Sequence, residues 1–596
     1  MLSVMRTWGA CGHKSCYVRM RDGVDLACDV LLPSQPSPSG KYTAVFFQTR
    51  YMRATELRWP LRLLSRGRAV DLVNLELKAA LLNGGYAVVT VDVRGTGASH
   101  GQWRAPWSLD ERRDSVEVLD FIVRQPWSDG QVLVGGKSYE GGAALFTIAQ
   151  RHPAVIGAFL ENVFWDMFAD LAVPGGIANR SFVVDWGAWC RAMDENRLAL
   201  LPKHTRLGLM LIARGCAPVV DGEGPAAERE GRRALAAAVA GHRSWGAVEA
   251  GRAVRFTDQP DPDGLVVNQF SPCVFASDIA AARVPISLVT GWLDQSATSA
   301  LHILHHAARA PGSELLVGPW SHIGLLDNRA EAERKPGLAD MELPADRMPV
   351  HYYVMGWRPS PGGITTVADP AAGGGGRPAG STAEVGALAA SGVDAAVRWE
   401  HSVETWRHPK GTSRYEVMLQ PMKPLRYSYL RSCGHTAFTG PPLAEALEVV
   451  GAPGVDLWVS SSDTDADVFA YLEDVDPASG KARYVTEGCM RASSRAEADP
   501  AGDPRGTAQL PGAPFHTFSR AAAAPLRPGA PERVRFEMLP TAYSFAPGHC
   551  VRLALAGADA KHFYVDHEGP RTIWFHAAPG QPSCLSLPVL KSSGSA

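Results

Sequence analysis

Val132-Leu-Val-Gly-Gly-Lys-Ser-Tyr-Glu-Gly-Gly-Ala143 is the stretch that decides the fold of this chain. Its apolar start predicts a short buried strand, and its end begins a helix that runs to Arg151. A sharp strand-to-helix turn with Ser138 at its apex is a nucleophile elbow, which exposes the serine Oγ beside the free N–H groups of the helix. A strict G-x-S-x-G motif would have glycine where Glu140 stands, so an ordinary glycine-rich loop is the alternative.

Length and composition restrict the classes of protein. The 596 residues predict two or three domains, and the mixed charges, with a net value of −2, give no electrostatic reason for a nucleic-acid or membrane partner. The chain has no run of about 18 apolar residues and no signal-peptide core at its N-terminus. Its ten cysteines fit no metal spacing. We therefore expect a cytoplasmic protein without metal or cofactor, and a homo-oligomer is compatible with the sequence.

Strands and helices alternate on both sides of the elbow. Residues 16–32 predict a hairpin around Asp22-Gly23 with a half-buried second strand, and residues 43–48 and 87–91 predict buried parallel strands. Helices are expected at 71–85 and after Asp110, which would cap the second one. This alternation predicts an α/β fold, in which ligands bind beyond the carboxyl ends of the strands.

The alternation is interrupted once and then ends. Residues 165–275 contain helix-like stretches and no clear strand, whereas the C-terminal part has short strands between Pro/Gly turns. We predict an α/β-hydrolase domain with an inserted helical cap and a C-terminal all-β jelly roll. The boundaries are 1–164 and 276–345 for the hydrolase domain, 165–275 for the cap and 346–596 for the jelly roll, with a mobile insert at 359–395.

Three residues at predicted strand ends form a catalytic set. A serine needs a base within hydrogen-bond reach, and the base needs a carboxylate that fixes its tautomer. Ser138, Asp294 and His322 follow the chain order of α/β-hydrolases, Ser, then Asp, then His. A helix cap for the aspartate and a surface position for the histidine are the alternatives for each residue alone. Their joint order favours catalysis.

Further motifs resemble one family along nearly the whole chain. They are Met20-Arg-Asp-Gly-Val24, Asp92-Val-Arg-Gly-Thr-Gly-Ala-Ser-His-Gly101, Gly136-Lys-Ser-Tyr-Glu-Gly141, Gly291-Trp-Leu-Asp294, Gly318-Pro-Trp-Ser-His322, Leu457-Trp-Val-Ser-Ser-Ser462, Val475-Asp-Pro477 and Leu539-Pro-Thr-Ala-Tyr543. In this order they are similar to the motifs of the cocaine esterase family of serine hydrolases (CocE/NonD type), relatives of X-Pro dipeptidyl-peptidases (S15 family) and α-amino acid ester hydrolases. The elbow of that family reads G-x-S-Y-x-G, so the late glycine is a family trait.

The resemblance implies a role for each residue of the site. Ser138 would be the nucleophile, His322 the general base and then acid, and Asp294 the orienting carboxylate. The backbone N–H of Tyr139 and the phenol of Tyr51 would form the oxyanion hole.

One position beside the site departs from the family. Proline usually precedes the oxyanion-hole tyrosine, whereas this sequence has Arg50 before Tyr51. A packing aromatic at a strand end is therefore the alternative for this tyrosine.

The residues that would select the substrate are less specific. Glu140 and Asp166 resemble carboxylates of amino acid ester hydrolases that bind a substrate ammonium, but each also fits a role at a helix start. The cap aromatics suggest an apolar acyl or aryl pocket, with packing in the core as the alternative. They are Trp165, Phe168, Trp186 and Trp189.

Two patterns resemble metal-binding motifs, but neither predicts a metal site. His302, His305 and His306 share a predicted helix, but no acid or cysteine completes a ligand set, so surface histidines are favoured. The segment 463–467 begins like a calcium loop, but Val468 replaces the required glycine.

Several functions fit this set of residues. The leading hypothesis is a serine hydrolase that cleaves a small carboxylic ester or amide through an acyl-enzyme. An acyltransferase using the same intermediate and an X-Pro dipeptidyl peptidase are alternatives. An inactive protein that binds a partner through the jelly roll is the alternative of another class.

Overall fold

A ten-stranded sheet organises the N-terminal half of the protein. The computed structural model describes residues 2–243, 246, 251–318, 320–322, 413–417, 436–502, 505, 513–566, 571–576 and 581–589, and the backbone of short strands between 349 and 399. The strands up to residue 368 are β1 (Gly12–Arg19), β2 (Asp25–Leu32), β3 (Tyr42–Thr49), β4 (Thr55–Leu57), β5 (Ala87–Asp92), β6 (Ser128–Lys137), β7 (Val155–Glu161), β8 (Ala213–Cys216), β9 (Ile286–Gly291), β10 (Glu314–Gly318), β11 (Pro349–Tyr352), β12 (Met355–Gly356) and β13 (Thr365–Ala368). Of these, β4 and β8 form a separate pair, and β12 joins a sheet of the C-terminal part.

The order of strands in this sheet is β1-β2-β5-β3-β6-β7-β9-β10-β11-β13. Neighbours from β5 to β11 are parallel, and the antiparallel pairs lie at the two edges. The strands β3, β6, β7, β9 and β10 therefore all point the same way, and their carboxyl ends lie side by side. The predicted site residues follow directly after these ends.

Helices cover the sheet and build the cap. They are α1 (Leu2–Ala10), α2 (Leu61–Leu64), α3 (Leu75–Asn83), α4 (Leu109–Val123), α5 (Tyr139–Ala149), α6 (Arg180–Asp194), α7 (Lys203–Ile212), α8 (Gly224–Gly241), α9 (Ala276–Ala281), α10 (Ala297–His306) and α11 (Arg414–Val417). In the part of the chain that the structure describes, none of them is long and apolar enough to cross a bilayer. Ser108, and not Asp110, caps α4, because its Oγ accepts the N–H of Glu111 at 3.4 Å.

The C-terminal part is built from strands in three sheets. They are β14 (Thr382–Glu384), β15 (Ala395–Trp399), β16 (Thr436–Thr439), β17 (Leu447–Gly451), β18 (Gly454–Ser461), β19 (Asp467–Asp476), β20 (Lys481–Arg491), β21 (Glu532–Glu537), β22 (Thr541–Phe545), β23 (Cys550–Ala556), β24 (Arg571–His576) and β25 (Cys584–Pro588). Burial alternates along part of β18 and along β21, whereas β19 is buried on both faces, and these strands share one hydrophobic core. The predicted α/β class with a C-terminal all-β domain is confirmed.

The sheet continues past the predicted boundary at residues 345 and 346. Strand β11 pairs parallel with β10, and β13 pairs antiparallel with β11. Residues 349–352 of the apolar run 348–355 therefore belong to this sheet and not to the predicted jelly roll, because hydrophobicity predicts a strand but not the sheet it joins. Within the predicted insert 359–395 only β13, β14 and the first residue of β15 are described, and the rest of the insert lies outside the described residues.

Two further expectations are wrong. Strand β2 is buried on both faces and not on one, because Ala27 packs against the cap core that contains Met193 and Leu198. Residues 165–275 do contain a strand, since β8 pairs antiparallel with β4. The four residues of β8 are too few to show a period in the sequence.

Candidate active site

Ser138 lies at a strained turn between β6 and α5. Its φ of 56° and ψ of −115° are rare for a residue with a side chain. The backbone N–H of Ser138 donates to the carbonyl of Glu161 at 2.9 Å and holds the turn in place. The serine is half-buried and lies at the carboxyl end of β6.

The late glycine of the elbow has a steric reason. A Cβ on Gly141 would come within 2.2 Å of Cγ2 of Val163, in the loop that follows β7. Helix α5 therefore reaches its position only with glycine there. The pattern G-x-S-Y-x-G is the form of the elbow that this packing requires.

Asp294 and His322 meet at the ends of β9 and β10. Nδ1 of the histidine lies 2.7 Å from Oδ2 of the aspartate, and both side chains are buried. The other oxygen of the aspartate accepts the N–H of Ser296 at 3.1 Å. A proton on Nδ1 is thereby fixed toward the carboxylate, which leaves Nε2 free to accept a proton.

The acid and base loops are packed backbone to backbone. The N–H of Leu293 donates to the carbonyl of Trp320 at 3.0 Å, and a Cβ on Gly291 would lie 1.9 Å from that oxygen. Only glycine permits this approach, which explains Gly291 in the motif before Asp294. A Cβ on Gly318 would lie 2.5 Å from the Trp320 ring, which explains the glycine in the motif before His322.

Two residues after β7 support the histidine, and neither is among the predicted site residues. Nδ2 of Asn162 donates to the carbonyl of His322 at 2.9 Å, while its own N–H donates to Val289 at 2.9 Å. The ring of Phe164 stacks on the imidazole with centroids 5.8 Å apart. An asparagine directly after a strand end was the available signal, because such residues favour turns with positive φ, and this one has a φ of 49°.

Tyr51 follows β3 at the same edge of the sheet. Nε1 of Trp186 donates to its hydroxyl oxygen at 3.1 Å, which orients the phenol from the cap side. Burial raises the pKa of Tyr51 well above its ordinary value. The phenol is therefore neutral at physiological pH and can donate its proton in a hydrogen bond.

Tyr139 is held from behind by a buried polar network. Its hydroxyl donates to both oxygens of Glu111 at 2.8 Å and accepts from Nε1 of Trp103 at 3.1 Å. Nε1 of Trp107 donates to its carbonyl at 2.9 Å. Burial raises the pKa of Glu111 to about 8. This network fixes the first residue of α5, whose N–H has no acceptor within the helix.

Arg50, at the position where the family usually has proline, is fully buried beside both tyrosines. Its Nη2 donates to Oδ1 of Asp194 at 2.8 Å. The guanidinium carbon lies 4.2 Å from the ring centroid of Trp103 and 5.8 Å from that of Trp186. These are the two rings that donate to Tyr139 and Tyr51, so the arginine packs both donors in place.

Trp186 also lines a small apolar cleft with a volume of about 60 Å³. Met167, Phe168, Val173, Phe182 and Phe270 are among the residues that line it. Asp261 is the charged residue in the lining, and its Oδ1 accepts the N–H groups of Asp263 and Leu265. Such a surface suits a small, uncharged apolar group.

Two predicted pocket aromatics lie elsewhere. Trp165 is fully buried in the hydrolase core, where its N–H donates to Oγ of Ser299 on α10. Trp189, one turn beyond Trp186 on α6, packs against the cap core. Neither is among the residues that line the cleft.

The two predicted ammonium ligands have partners within the protein. Oδ1 of Asp166 caps the π-helical turn Met167–Ala172 by accepting two N–H groups, and its Oδ2 lies 3.7 Å from Nη1 of Arg505. Glu140 is buried in the first turn of α5 and accepts a hydrogen bond from Nδ2 of Asn74 at 2.8 Å. Burial and the neighbouring Asp71 raise the pKa of Glu140 to about 7. Ammonium binding by either carboxylate stays a prediction.

The histidines of α10 and the aspartates of segment 463–467 are not arranged as metal ligands in the described structure. Burial, followed by His306 and His305, lowers the pKa of His302 to about 3. Asp463 accepts from Arg571 at 2.6 Å, and Asp467 accepts from Arg491 at 2.9 Å. Across the described residues, no group of three or more His, Cys, Asp or Glu side chains is arranged to hold a metal ion.

Comparison with known proteins identifies the family. The model of X-Pro dipeptidyl-peptidase (S15 family) matches residues 22–324. The chain belongs to this family. The model of the X-Pro dipeptidyl-peptidase C-terminal non-catalytic domain matches residues 390–576, which places the all-β domain in the same architecture. The resemblance drawn from the motifs is confirmed.

Individual relatives of this S15 family member agree. It is 33% identical over 633 residues to the Mycobacterium bovis protein named "Putative serine esterase Mb1866c". The alignment covers 97% of this chain and 95% of that protein. It is 25% identical over 339 residues to cocaine esterase from a Rhodococcus species, covering 54% of this chain and 50% of that one. The fold matches a CocE/NonD family hydrolase from Staphylococcus aureus with a TM-score of 0.63, 16% identity and coverage of 98% and 94%. The chain is a serine hydrolase of the esterase or peptidase type.

Proposed function

We propose that this hydrolase cleaves carboxylic esters through an acyl-enzyme on Ser138. The observation that carries the proposal is the 2.7 Å contact between His322 and Asp294, at the edge of the sheet where the strained serine lies. A buried His–Asp pair with a fixed tautomer beside an elbow serine is the arrangement that serine activation needs.

The reaction would proceed in two steps. Nε2 of His322 takes the Ser138 proton as Oγ attacks the ester carbonyl, and Asp294 stabilises the imidazolium. The Tyr139 N–H and the Tyr51 O–H donate to the oxyanion, each contributing roughly 3 kcal/mol in the transition state. The alcohol leaves with the proton from His322, and water then hydrolyses the acyl-enzyme by the same route.

An ester with an apolar acyl group fits the site better than a peptide with a free N-terminus. The apolar cleft reaches Trp186, which bonds the hydroxyl of Tyr51. Removal of a dipeptide would require a partner for the substrate ammonium, and both Asp166 and Asp261 already bind backbone N–H groups. The names of the esterase relatives support the same choice, whereas the family description supports X-Pro dipeptidyl peptidase activity as the second candidate.

Steady-state assays on a substrate panel test this proposal. The wild type should hydrolyse p-nitrophenyl esters of benzoic and medium-chain acids, and Ser138→Ala should reduce kcat/KM to the background rate because the nucleophile is absent. Ser37→Ala, in an exposed loop, is the matched control and should keep full activity. Cleavage of X-Pro p-nitroanilides without ester turnover would contradict the ester proposal. Added amines that divert the acyl group from water would indicate a transferase.

We also propose a cytoplasmic location. The nine cysteines within the described ranges are free thiols. Cys16 and Cys28 face each other across β1 and β2 without forming a disulfide. Adjacent reduced thiols are typical of a reducing compartment.

A further inference from the structure

Two segments of the chain form one exposed apolar surface, here called the Trp59 surface. It comprises residues 58–68, which contain α2, and residues 206–214 from α7 and β8. The segments are joined because the N–H of Arg58 donates to the carbonyl of Ile212 at 2.9 Å and β4 pairs with β8. Of the ten large apolar side chains exposed in the described structure, six lie here: Trp59, Leu63, Leu64, Leu207, Met210 and Leu211.

The exposure of these side chains is high. Trp59 is 75% exposed, Leu207 is 70% exposed, and Leu63 and Leu211 are each 67% exposed. These side chains are not packed in the core of the protein, and burying them against a partner would be favourable. Their concentration in one place therefore indicates an interaction surface.

The same surface is strongly basic. Its two segments contain six arginines and no aspartate or glutamate, although the whole chain has a net charge of −2. Arg58, Arg62, Arg66 and Arg214 are exposed, and Arg68 and Arg206 are half-buried. The expectation of no membrane partner was based on the net charge of the whole chain. The fold brings together arginines from two distant segments, so this one surface is positive although the whole chain is not.

We propose that the Trp59 surface docks the protein on an anionic lipid bilayer. Tryptophan and leucine side chains insert at the headgroup level, and arginines around them bind lipid phosphates and attract the negative surface. A second copy of the chain fits less well, because a two-fold contact would bring two arginine-rich surfaces together. Nucleic acid fits less well because the exposed leucines would find no apolar partner there. The contact is peripheral and leaves the fold unchanged.

Co-sedimentation of the full chain with vesicles tests the proposal. The wild type should bind vesicles of equal parts phosphatidylcholine and phosphatidylglycerol, bind phosphatidylcholine vesicles much less, and be released by salt. Leu63→Ser with Leu211→Ser, and separately Arg62→Glu with Arg66→Glu, should each lower the partition coefficient at least about tenfold. The four side chains are exposed, so the variants should fold and keep the wild-type hydrolysis of soluble esters.

Matched controls and alternative occupants complete the test. Ile156→Ser removes an apolar side chain that is 42% exposed elsewhere, and Arg527→Glu reverses an exposed charge on the β domain. Both should bind vesicles as the wild type does. Equal binding of all variants, or no binding of the wild type, would overturn the proposal. A wild-type dimer in analytical ultracentrifugation that the leucine variant dissociates, without vesicle binding, would assign the surface to a second copy instead.

Discussion

Replacing Asp294 by asparagine should lower kcat for ester hydrolysis about 10⁴-fold while leaving the fold intact. The carboxylate lies 2.7 Å from Nδ1 of His322 and is 1% exposed, so it controls the position of the ring proton. An amide NH₂ in its place would donate to Nδ1 and shift the ring proton to Nε2. That nitrogen could then no longer accept the proton of Ser138.

The measurement is kcat on a p-nitrophenyl ester, with far-ultraviolet circular dichroism as the check on folding. Asp278→Asn is the matched control because this aspartate lies on α9, is 45% exposed and pairs with Arg151. It should retain kcat within about twofold, as exposed ion pairs contribute little. A loss of less than tenfold for Asp294→Asn would show that another group orients the histidine.

Replacing Arg53 by methionine should lower the local free energy of unfolding by about 3–5 kcal/mol at neutral pH. The guanidinium is completely buried and donates to Asp29 on β2 and to Asp92 at the end of β5, each at 3.1 Å. It also donates to the carbonyls of Ala217 and Pro218 in the cap. Methionine would leave two buried carboxylates without the Arg53 cation and would remove two hydrogen bonds between the sheet and the cap.

The effect of Arg53→Met should depend on pH in a defined direction. Burial alone would raise the pKa of Asp29, but Arg53, followed by His13, outweighs it and holds that pKa well below its ordinary value. A lowered carboxyl pKa contributes stability that is present above the unfolded pKa, about 3.9, and is lost as the pH falls below it. The difference between wild type and variant should therefore shrink toward acid pH.

Hydrogen exchange of the β2 and β5 amides measures this local free energy in a protein with several domains. Arg19→Met is the matched control, because Arg19 pairs with Asp25 at 3.1 Å but its side chain is 70% exposed. Its loss should cost at most about 1 kcal/mol. Equal costs for the two variants would contradict the role given to the buried network.

The elbow and the order of the site residues could be predicted from the sequence because each depends on local patterns. A buried strand, a turn and a helix are adjacent in the chain. The strands that precede Asp294 and His322 are likewise indicated by short apolar runs in the sequence. Parallel neighbours bring such ends to one edge of a sheet. The contact between Asp294 and His322 follows from that topology.

The sequence could not predict contacts that depend on which elements become neighbours. An apolar pattern reports burial, but it does not show that β11 joins the N-terminal sheet or that the cap covers the outer face of β2. For the same reason Trp165 and Trp189 were indistinguishable from Phe168 and Trp186. The bond from Tyr139 to Glu111 joins residues 28 positions apart, and no spacing rule indicates it.

Labelling with a fluorophosphonate probe, followed by intact-mass and peptide analysis, tests the central claim most directly. The wild type should gain one adduct, on the peptide that contains Ser138, and Ser138→Ala should gain none. An unlabelled wild type would contradict the proposed acyl-enzyme mechanism. A Ser138→Ala variant that is still labelled at another serine would contradict the assignment of the nucleophile.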